Sequence, residues 1–279
     1  QEWYELQQPQ MAYVPLFEAK KIAYPEIARE PRFAELNEGV YVNNKCFVLP
    51  EDAPWLLAML NTQLLFDVLR HLCSTLGDPH AGGRLELRAQ YMARLPVRRF
   101  SEKRPVDDAE ALRLREAAER LAHKEVLSLM EPLLPLTANS TPDLANERSA
   151  PIRDLLTHLG KRLTELHAER QAITKHLGDW LEYSGIESER LPVSFREGGW
   201  ADLNSSHDVL AEFRKRRVRL AGQQLADCQR ELNHAFERLG PVRHRISVLD
   251  DLTERVVRRL YGVEALPPSA SLLAPQGSA

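Results

Sequence analysis

Hydrophobic and polar residues alternate along the chain in two ways, and the change between them predicts two kinds of structure. The first hundred residues contain short apolar stretches with a period near two, as in β-strands, and later stretches repeat every three to four residues, as in helices. The predicted strands cover Glu2–Gln8, Met11–Phe17, Lys20–Ile27, Val40–Leu49 and Arg84–Leu87. The chain is therefore predicted to be α+β first and all-α afterwards.

One long helix is predicted inside the α+β part. Asp52 is a suitable N-cap, Pro54 lies in the first turn, and Gly77 follows the last apolar position. The apolar stripe between them comprises Leu56, Leu57, Leu60, Leu64, Leu65, Val68, Leu69 and Leu72. A helical turn over residues 88–95 is expected next, and Pro96 then directs the chain into an extended exit.

The rest of the chain is predicted to be helical. After a linker at residues 101–109, one helix is ended by Pro132 and Pro135, and a loop follows to Pro151. A first heptad track then contains Ile152, Leu156, Leu159, Leu163, Leu166, Ile173, Leu177 and Trp180. A second contains Val218, Ala221, Leu225, Cys228, Leu232, Ala235 and Leu239. Joined by a loop at residues 183–206, the two tracks predict a long antiparallel helical hairpin, a coiled coil.

A closing helix is predicted from Leu249 to Tyr261, because acids occupy its first turn and Gly262 follows its last residue. The predicted divisions are an α+β domain, a helix with a linker, a coiled-coil hairpin, a C-terminal helix and a disordered tail. Their ranges are, in that order, residues 1–104, 105–150, 151–240, 241–263 and 264–279.

The composition mainly excludes certain kinds of site and classes of protein. A hydrophobic fraction of 43% and a charged fraction of 28% fit a soluble globular protein. The three cysteines lie far apart, which excludes a C-x-x-C site, and the heptad position of Cys228 predicts a packed core residue. Without a long apolar run or a signal peptide, a cytoplasmic location is expected. Because residue 1 is Gln, we expect the sequence to be part of a longer polypeptide.

Charge is distributed unevenly, although the net charge is only −3. A first basic stretch, in which Glu86 and Glu102 are the acids, contains Arg84, Arg88, Arg94, Arg98, Arg99, Lys103 and Arg104. A second contains Arg214, Lys215, Arg216, Arg217 and Arg219. Either stretch can meet phosphate, and a solvated surface is the competing interpretation of both.

The order of segments between Lys20 and Val97 resembles the TaqI-like target-recognition domain of adenine-specific DNA methyltransferases. That domain also occurs in type IIG restriction–modification enzymes and in BREX phage-defence methyltransferases. The matching motifs are Tyr24-Pro25-Glu26-Ile27, Gly39-Val40-Tyr41-Val42-Asn43-Asn44, Asn61-Thr62-Gln63-Leu64, Gly82-Gly83-Arg84 and Leu95-Pro96-Val97. The segment LDDLTERVVRRLYGVE is similar to the closing helix of many restriction–modification polypeptides. Two departures are Glu26, where the family more often has Asp, and Gln63, where it has a basic residue.

The resemblance implies a sequence-specific DNA-recognition module that positions a target base for a catalytic domain lying upstream of this sequence. The implied partners are double-stranded DNA and that methyltransferase domain or subunit, and S-adenosylmethionine is the cofactor expected for the latter. The chain itself has no Asn-Pro pair to grip the target amine and no Gly-x-Gly turn. The resemblance therefore carries no catalytic residue into this chain, and the helical hairpin is expected to act as a spacer.

A recognition module must anchor on phosphates and read base edges with forked side chains. The candidate DNA-binding residues are Lys20, Lys21, Tyr24, Asn43, Asn44, Lys45, Gly82, Gly83, Arg84, Arg88, Gln90, Arg98 and Arg99. Structural alternatives exist for several positions: a polar turn at residues 43–44, a tight turn at residues 82–84, a strand-end role for Glu26, and a helix–strand hydrogen bond for Asn61.

Two other functions compete with DNA recognition. The helical hairpin predicts a protein-interaction module that does not bind DNA. The sequence Glu18-Ala19-Lys20, with Glu5 as an upstream acid, has the form of a small metal-dependent nuclease, although such spacing recurs by chance. The nine histidines show no metal-ligand spacing.

Overall fold

A computed structural model describes residues 11–78, 83–100, 108–139, 141–186, 190–196, 198–220 and 222–263. A small region of antiparallel sheet is followed by a mostly helical part, so the predicted order of the two classes is confirmed. Contacts between Cα atoms divide the chain into two compact units. The first unit is Gln1–Lys161 with Asp250–Ala279, and the second unit is Arg162–Leu249.

The described strands of the first unit form two three-stranded antiparallel sheets. They are β1 (Lys21–Pro25), β2 (Ile27–Ala28), β3 (Ala34–Leu36), β4 (Cys46–Leu49), β5 (Thr75–Leu76) and β6 (Arg84–Glu86). β1 lies between β3 and β4, and β6 lies between β2 and β5. Only Glu26 separates β1 from β2, so the chain passes from one sheet to the other at this residue.

Two strand predictions are wrong in part or in whole. The segment Met11–Phe17 forms a 3₁₀ turn followed by helix α1 (Val14–Phe17), and a proline in the first turn suits that helix. The strand predicted over Val40–Leu49 is reduced to β4, because residues 43–45 form a side-chain-stabilised turn. The strand predicted at Glu2–Gln8 lies outside the described residues.

The predicted long helix is in fact two helices, α2 (Pro54–Leu60) and α3 (Gln63–Leu72). Thr62 between them has an extended backbone with ψ of 148°, which helical hydrogen bonding cannot continue through. The N-cap position of α2 is Ala53 rather than Asp52. The apolar residues of both helices pack with those of the strands, and the core includes Ile22, Tyr24, Phe33, Met59, Leu65, Phe66, Leu69, Leu85 and Leu87.

The remaining helices differ from the predicted ones by a further break and by helical turns inside a predicted loop. They are α4 (Ala89–Met92), α5 (Asp108–Glu119), α6 (His123–Met130), α7 (Ala150–Tyr183), α8 (Val193–Arg196), α9 (Ser206–Lys215) and α10 (Gln223–Tyr261). The helix predicted before Pro132 is divided into α5 and α6 at Leu121, whose φ of +56° ends a right-handed helix. The segment predicted as a loop over residues 183–206 contains α8 and a 3₁₀ turn.

The second heptad track and the closing helix are one continuous helix of 39 residues, α10, which contains Pro241. This helix begins at Gln223, later than the first residue of the predicted track. In the second unit Trp200 is fully buried and contacts Phe236 edge-on, with 5.7 Å between ring centroids. No helix in the described part of the chain is long and apolar enough to cross a membrane.

Candidate nucleic-acid interface

Glu26 is the point at which three segments of the first unit meet. Its backbone N–H donates to the carbonyl oxygen of Lys45 (2.8 Å), and its own carbonyl accepts from the N–H of Leu87 (2.7 Å). The turn before β4 and the residues after β6 are therefore held on either side of the Tyr24-Pro25-Glu26-Ile27 motif. At this strand end it is the backbone of Glu26, and not its carboxylate, that joins the segments.

Side chains of the same segments form a compact group of charges, named here the Glu26 cluster: Glu26, Lys45, Glu86 and Arg88. Lys45 Nζ lies 3.5 Å from a carboxylate oxygen of Glu26, and Arg88 Nη2 lies 2.5 Å from one of Glu86. The hydrogen bond to Glu86 raises the pKa of the Arg88 guanidinium, and the charges of Glu86 and Glu26 add to this effect. Two cations are thus held beside two carboxylates.

Exposed and buried side chains alternate along β6 and the two residues that follow it. Leu85 and Leu87 are buried, whereas Arg84 and Arg88 are exposed and Glu86 is half-buried. Gln90, on α4, is also exposed. Five residues therefore alternate between core and surface, and this period of two was the sequence signal that could have identified Glu86 as a member of the cluster.

The turn formed by residues 43–45 is stabilised by its own side chain. Asn43 Oδ1 accepts from the backbone N–H of Lys45 (3.0 Å), and the carbonyl of Asn43 accepts from the N–H of Cys46 (3.1 Å). The amide of Asn43 therefore has the polar-turn role that the sequence offered as an alternative. Asn44 and Lys45 are exposed on this turn, with the Lys45 side chain 71% exposed.

Two candidate residues of β1 lie in the core. Lys21 is fully buried, and its ammonium donates to the carbonyl oxygens of Phe17 (2.8 Å), Ala19 (3.0 Å) and Asn37 (2.9 Å). An ammonium group has three donors, so all of them are used within the protein. In this conformation Lys21 joins α1 to the loop after β3 and presents no group to a base or phosphate.

Tyr24 is likewise 3% exposed, and its ring packs against Phe33 and Phe47 with centroid distances of 5.4 and 5.6 Å. Burial raises the pKa of its hydroxyl to about 12, with a smaller contribution from Cys73. The tyrosine of the Tyr-Pro-Glu-Ile motif is therefore a core residue.

Lys20 and the two candidate glycines lie outside the Glu26 cluster. Lys20 is half-exposed and lies 3.7 Å from Glu35. Gly83 packs closely inside its own loop, where an added Cβ would meet Thr75 Cγ2 at 2.5 Å, and this explains the need for glycine there without any ligand. Gly82 lies outside the described residues.

Arg98 and its neighbour Arg99 differ sharply in environment. Arg98 forms a largely buried ion pair with Glu147, with side-chain exposures of 13% and 6%, and Ser149 also donates to that carboxylate (3.0 Å). Its backbone N–H donates to the hydroxyl of Tyr261 (2.9 Å). Arg99 is exposed. The side chain of Arg98 is thus used in an internal ion pair, whereas that of Arg99 is free to meet a ligand at the surface.

Asn61 has the helix–strand hydrogen-bonding role predicted for it. Its side-chain oxygen accepts from the N–H of Phe33 (3.0 Å), and its amide donates to the carbonyls of Phe33 (2.9 Å) and Leu57 (3.2 Å). The Asn61 side chain thereby satisfies the hydrogen bonding of both backbone groups of Phe33, just before β3. Asn61 itself lies at the break between α2 and α3.

The Glu18-x-Lys20 pair is engaged in other contacts. Glu18 accepts a hydrogen bond from the hydroxyl of Tyr41 (2.6 Å), which raises the pKa of that hydroxyl, and Lys20 points to Glu35. Among the described residues no group of three or more His, Cys, Asp or Glu side chains is placed to hold a metal ion. Glu5 lies outside the described residues.

Comparison with models of protein families, with curated proteins and with solved structures gives no match to this chain.

Proposed function

We propose that the first unit is a DNA target-recognition module of an adenine-specific methyltransferase from a restriction–modification or phage-defence system. In this proposal the Glu26 cluster and the 43–45 turn contact duplex DNA. A separate catalytic domain binds S-adenosylmethionine and methylates the base. The chain contributes recognition only.

The observation that carries the proposal is the convergence on Glu26. Residues distant in sequence, on the 43–45 turn and at the end of β6, meet there, and their side chains pair two cations with two carboxylates close to the turn that carries the exposed Asn44. Arginine and asparagine read guanine and adenine edges through paired hydrogen bonds, and a carboxylate accepts from the amine of cytosine. Because the two carboxylates neutralise the two cations, the cluster attracts phosphates only weakly, and this favours selective base reading over binding without regard to sequence.

The closing helix supports the same assignment, because it is joined to the recognition segment by direct hydrogen bonds. The hydroxyl of Tyr261 donates to the carbonyl of Pro96 (2.7 Å) and accepts from the N–H of Arg98. The Leu-Pro-Val exit and the Leu-Tyr-Gly end of α10, which carry the resemblance at opposite ends of the chain, are therefore in contact.

For the second unit we propose the antiparallel coiled-coil hairpin, acting as a spacer. Gln224, near the start of α10, donates to the carbonyl of Ser184, just after α7, at 3.4 Å, as an antiparallel pair requires. Buried heptad positions are present on both helices of this unit: Leu163, Leu166, Ile173, Leu177, Cys228, Leu232, Ala235 and Leu239.

The test is selection of bound duplexes from a random pool by the chain, alone and together with a catalytic domain of the proposed class. We expect one short motif to be enriched. The variant Lys45→Ala/Arg88→Ala should lose the enrichment, because it removes both cations of the Glu26 cluster while leaving the backbone bonds of Glu26 in place.

Arg70→Ala/Arg32→Ala is the matched control, since it removes two exposed arginines from the same unit outside the cluster. If neither the chain nor its combination with the catalytic domain enriches a motif, the recognition proposal is wrong and the protein-interaction alternative takes its place. The nuclease alternative predicts metal-dependent cleavage that Lys20→Ala abolishes.

A further inference from the structure

A second charged surface lies in the unit Arg162–Leu249, where α9 ends. Between Glu212 and Leu220 the sequence contains five basic residues and one acid. All five are exposed, and together they are named the α9 basic turn: Arg214, Lys215, Arg216, Arg217 and Arg219. The acid, Glu212, lies 3.0 Å from Lys215 and 3.9 Å from Arg216. One carboxylate cannot balance five cations, so the turn keeps a strong positive charge.

The backbone of this turn is fixed in place. Val218 is buried, and its N–H donates to the carbonyl of Phe213 (2.9 Å). The N–H of Arg217 donates to the carbonyl of Arg214 (3.0 Å), and the carbonyl of Arg217 accepts from the guanidinium of Arg190 (2.9 Å). Because Val218 anchors the segment, the arginines on both sides of it are held at the surface in a defined arrangement.

Arg217 occupies a backbone conformation that its side chain does not favour. Its φ is +57°, in the left-handed region, and it directly follows the C-cap residue of α9, Arg216. Glycine is the commonest residue at this place after a helix, because it lacks the Cβ that makes the left-handed conformation costly. Stability alone would therefore select glycine, and an exposed arginine there indicates a use for the guanidinium.

The competing explanation is that the basic residues stabilise the negative end of α9. That effect is confined to the last turn, so it accounts for Arg214 and Lys215, which lie inside the helix. It does not account for Arg217 and Arg219, which lie beyond its last residue. Guanidinium groups bind phosphate oxygens through two parallel hydrogen bonds, and this makes a polyphosphate the fitting ligand.

We propose that the α9 basic turn is a second contact for duplex DNA, which binds backbone phosphates without regard to sequence. The choice of DNA as the polyanion rests on the proposed function, because a module that reads bases is held against a duplex. The charge and the geometry of the turn are independent of it. Such a contact would increase affinity and leave base selection to the Glu26 cluster.

The experiment measures equilibrium binding of the full chain to a random-sequence duplex over a range of salt concentrations. The test variant is Arg217→Gly/Arg219→Gln, and the matched control is Arg238→Gln/Arg245→Gln, which removes two exposed arginines of α10 in the same unit. Each lost phosphate contact reduces the slope of log affinity against log salt by about 0.9, so the test variant should lose up to about 1.8. Its thermal midpoint should not fall, because glycine suits position 217.

Retention of the parent slope by the test variant, or equal losses in test and control variants, overturns the proposal. It is also overturned if the parent binds vesicles of phosphatidylcholine and phosphatidylserine through this turn but does not bind duplex. Motif selection by the parent chain separates this proposal from the proposed function. A shallower slope in the test variant, with no motif enriched by the parent, leaves the phosphate contact standing and rejects base reading.

Discussion

Lys21, Asn61 and Glu147 are polar residues whose hydrogen bonds or ion pairs are made inside the first unit. Their partners are backbone carbonyls, backbone N–H groups and a largely buried guanidinium. Unlike Lys45 and Arg88, they have no freedom to meet a ligand. At the scale of single residues, internal partners rather than burial alone therefore separate side chains that maintain the fold from those available for recognition, since Asn61 is itself exposed.

Replacing Asn61 with Ala should lower the free energy of unfolding by about 1–3 kcal/mol, because the N–H and C=O groups of Phe33 lose their partner. Chemical denaturation of the two proteins measures the difference. Asn44→Ala is the control, since Asn44 is exposed on its turn and should change stability by no more than about 0.5 kcal/mol. Equal effects of the two changes would contradict this role for Asn61.

The cysteines should differ in reactivity towards a thiol reagent at pH 8. Burial raises the pKa of Cys228 to about 12 and also raises that of Cys73, so the reactive thiolate of Cys228 makes up about one part in 10⁴ at this pH. We expect the folded chain to react rapidly only at half-buried Cys46, and Cys46→Ala should abolish that phase. Rapid labelling of Cys228 before unfolding would show that its site opens.

At the scale of elements, the first unit depends on a helix that lies far away in sequence. The carboxylate of Glu254, on α10, accepts from the backbone N–H groups of Gln63 (2.7 Å) and Leu64 (3.2 Å), which begin α3. The first N–H groups of a helix have no partner within it, and a carboxylate there also interacts with the positive end of the helix dipole. α10 thus supplies the cap that α3 lacks locally.

Glu254→Gln should therefore destabilise the first unit by about 1 kcal/mol, because the amide keeps one acceptor oxygen but loses the negative charge. Thermal or chemical unfolding monitored by circular dichroism gives the value. Glu237→Gln removes an exposed carboxylate from the same helix and should have little effect. A neutral result for Glu254→Gln would mean that α3 does not depend on this cap.

At the scale of the whole molecule, the two proposals give separate tasks to two charged surfaces: base reading to the Glu26 cluster and phosphate binding to the α9 basic turn. In variants of either surface, loss of DNA binding must be distinguished from loss of folding. Arg98 and Arg99 illustrate the difference, since they are adjacent in sequence and only Arg98 forms a largely buried ion pair. Any DNA-binding result for Arg98 must therefore be accompanied by a stability measurement.

Arg98→Ala should cost about 3–5 kcal/mol of unfolding free energy, because it leaves Glu147 buried without its cation. Arg99→Ala should cost less than about 0.5 kcal/mol, since Arg99 is exposed. Denaturant titration of both variants is the measurement. If the costs were similar, the pair with Glu147 would not contribute to stability in solution.

The sequence by itself determined the order of a region of short strands and a helical part, and the strand and turn around Arg84–Met92, because local hydrophobic periodicity encodes them. Tertiary structure decided the break between α2 and α3, the burial of Lys21 and the meeting of Lys45 with Glu26. Each of these depends on partners that lie 16 to 28 residues away. Glu254 and its partner Gln63 are 191 residues apart, and no local pattern specifies a contact at that distance.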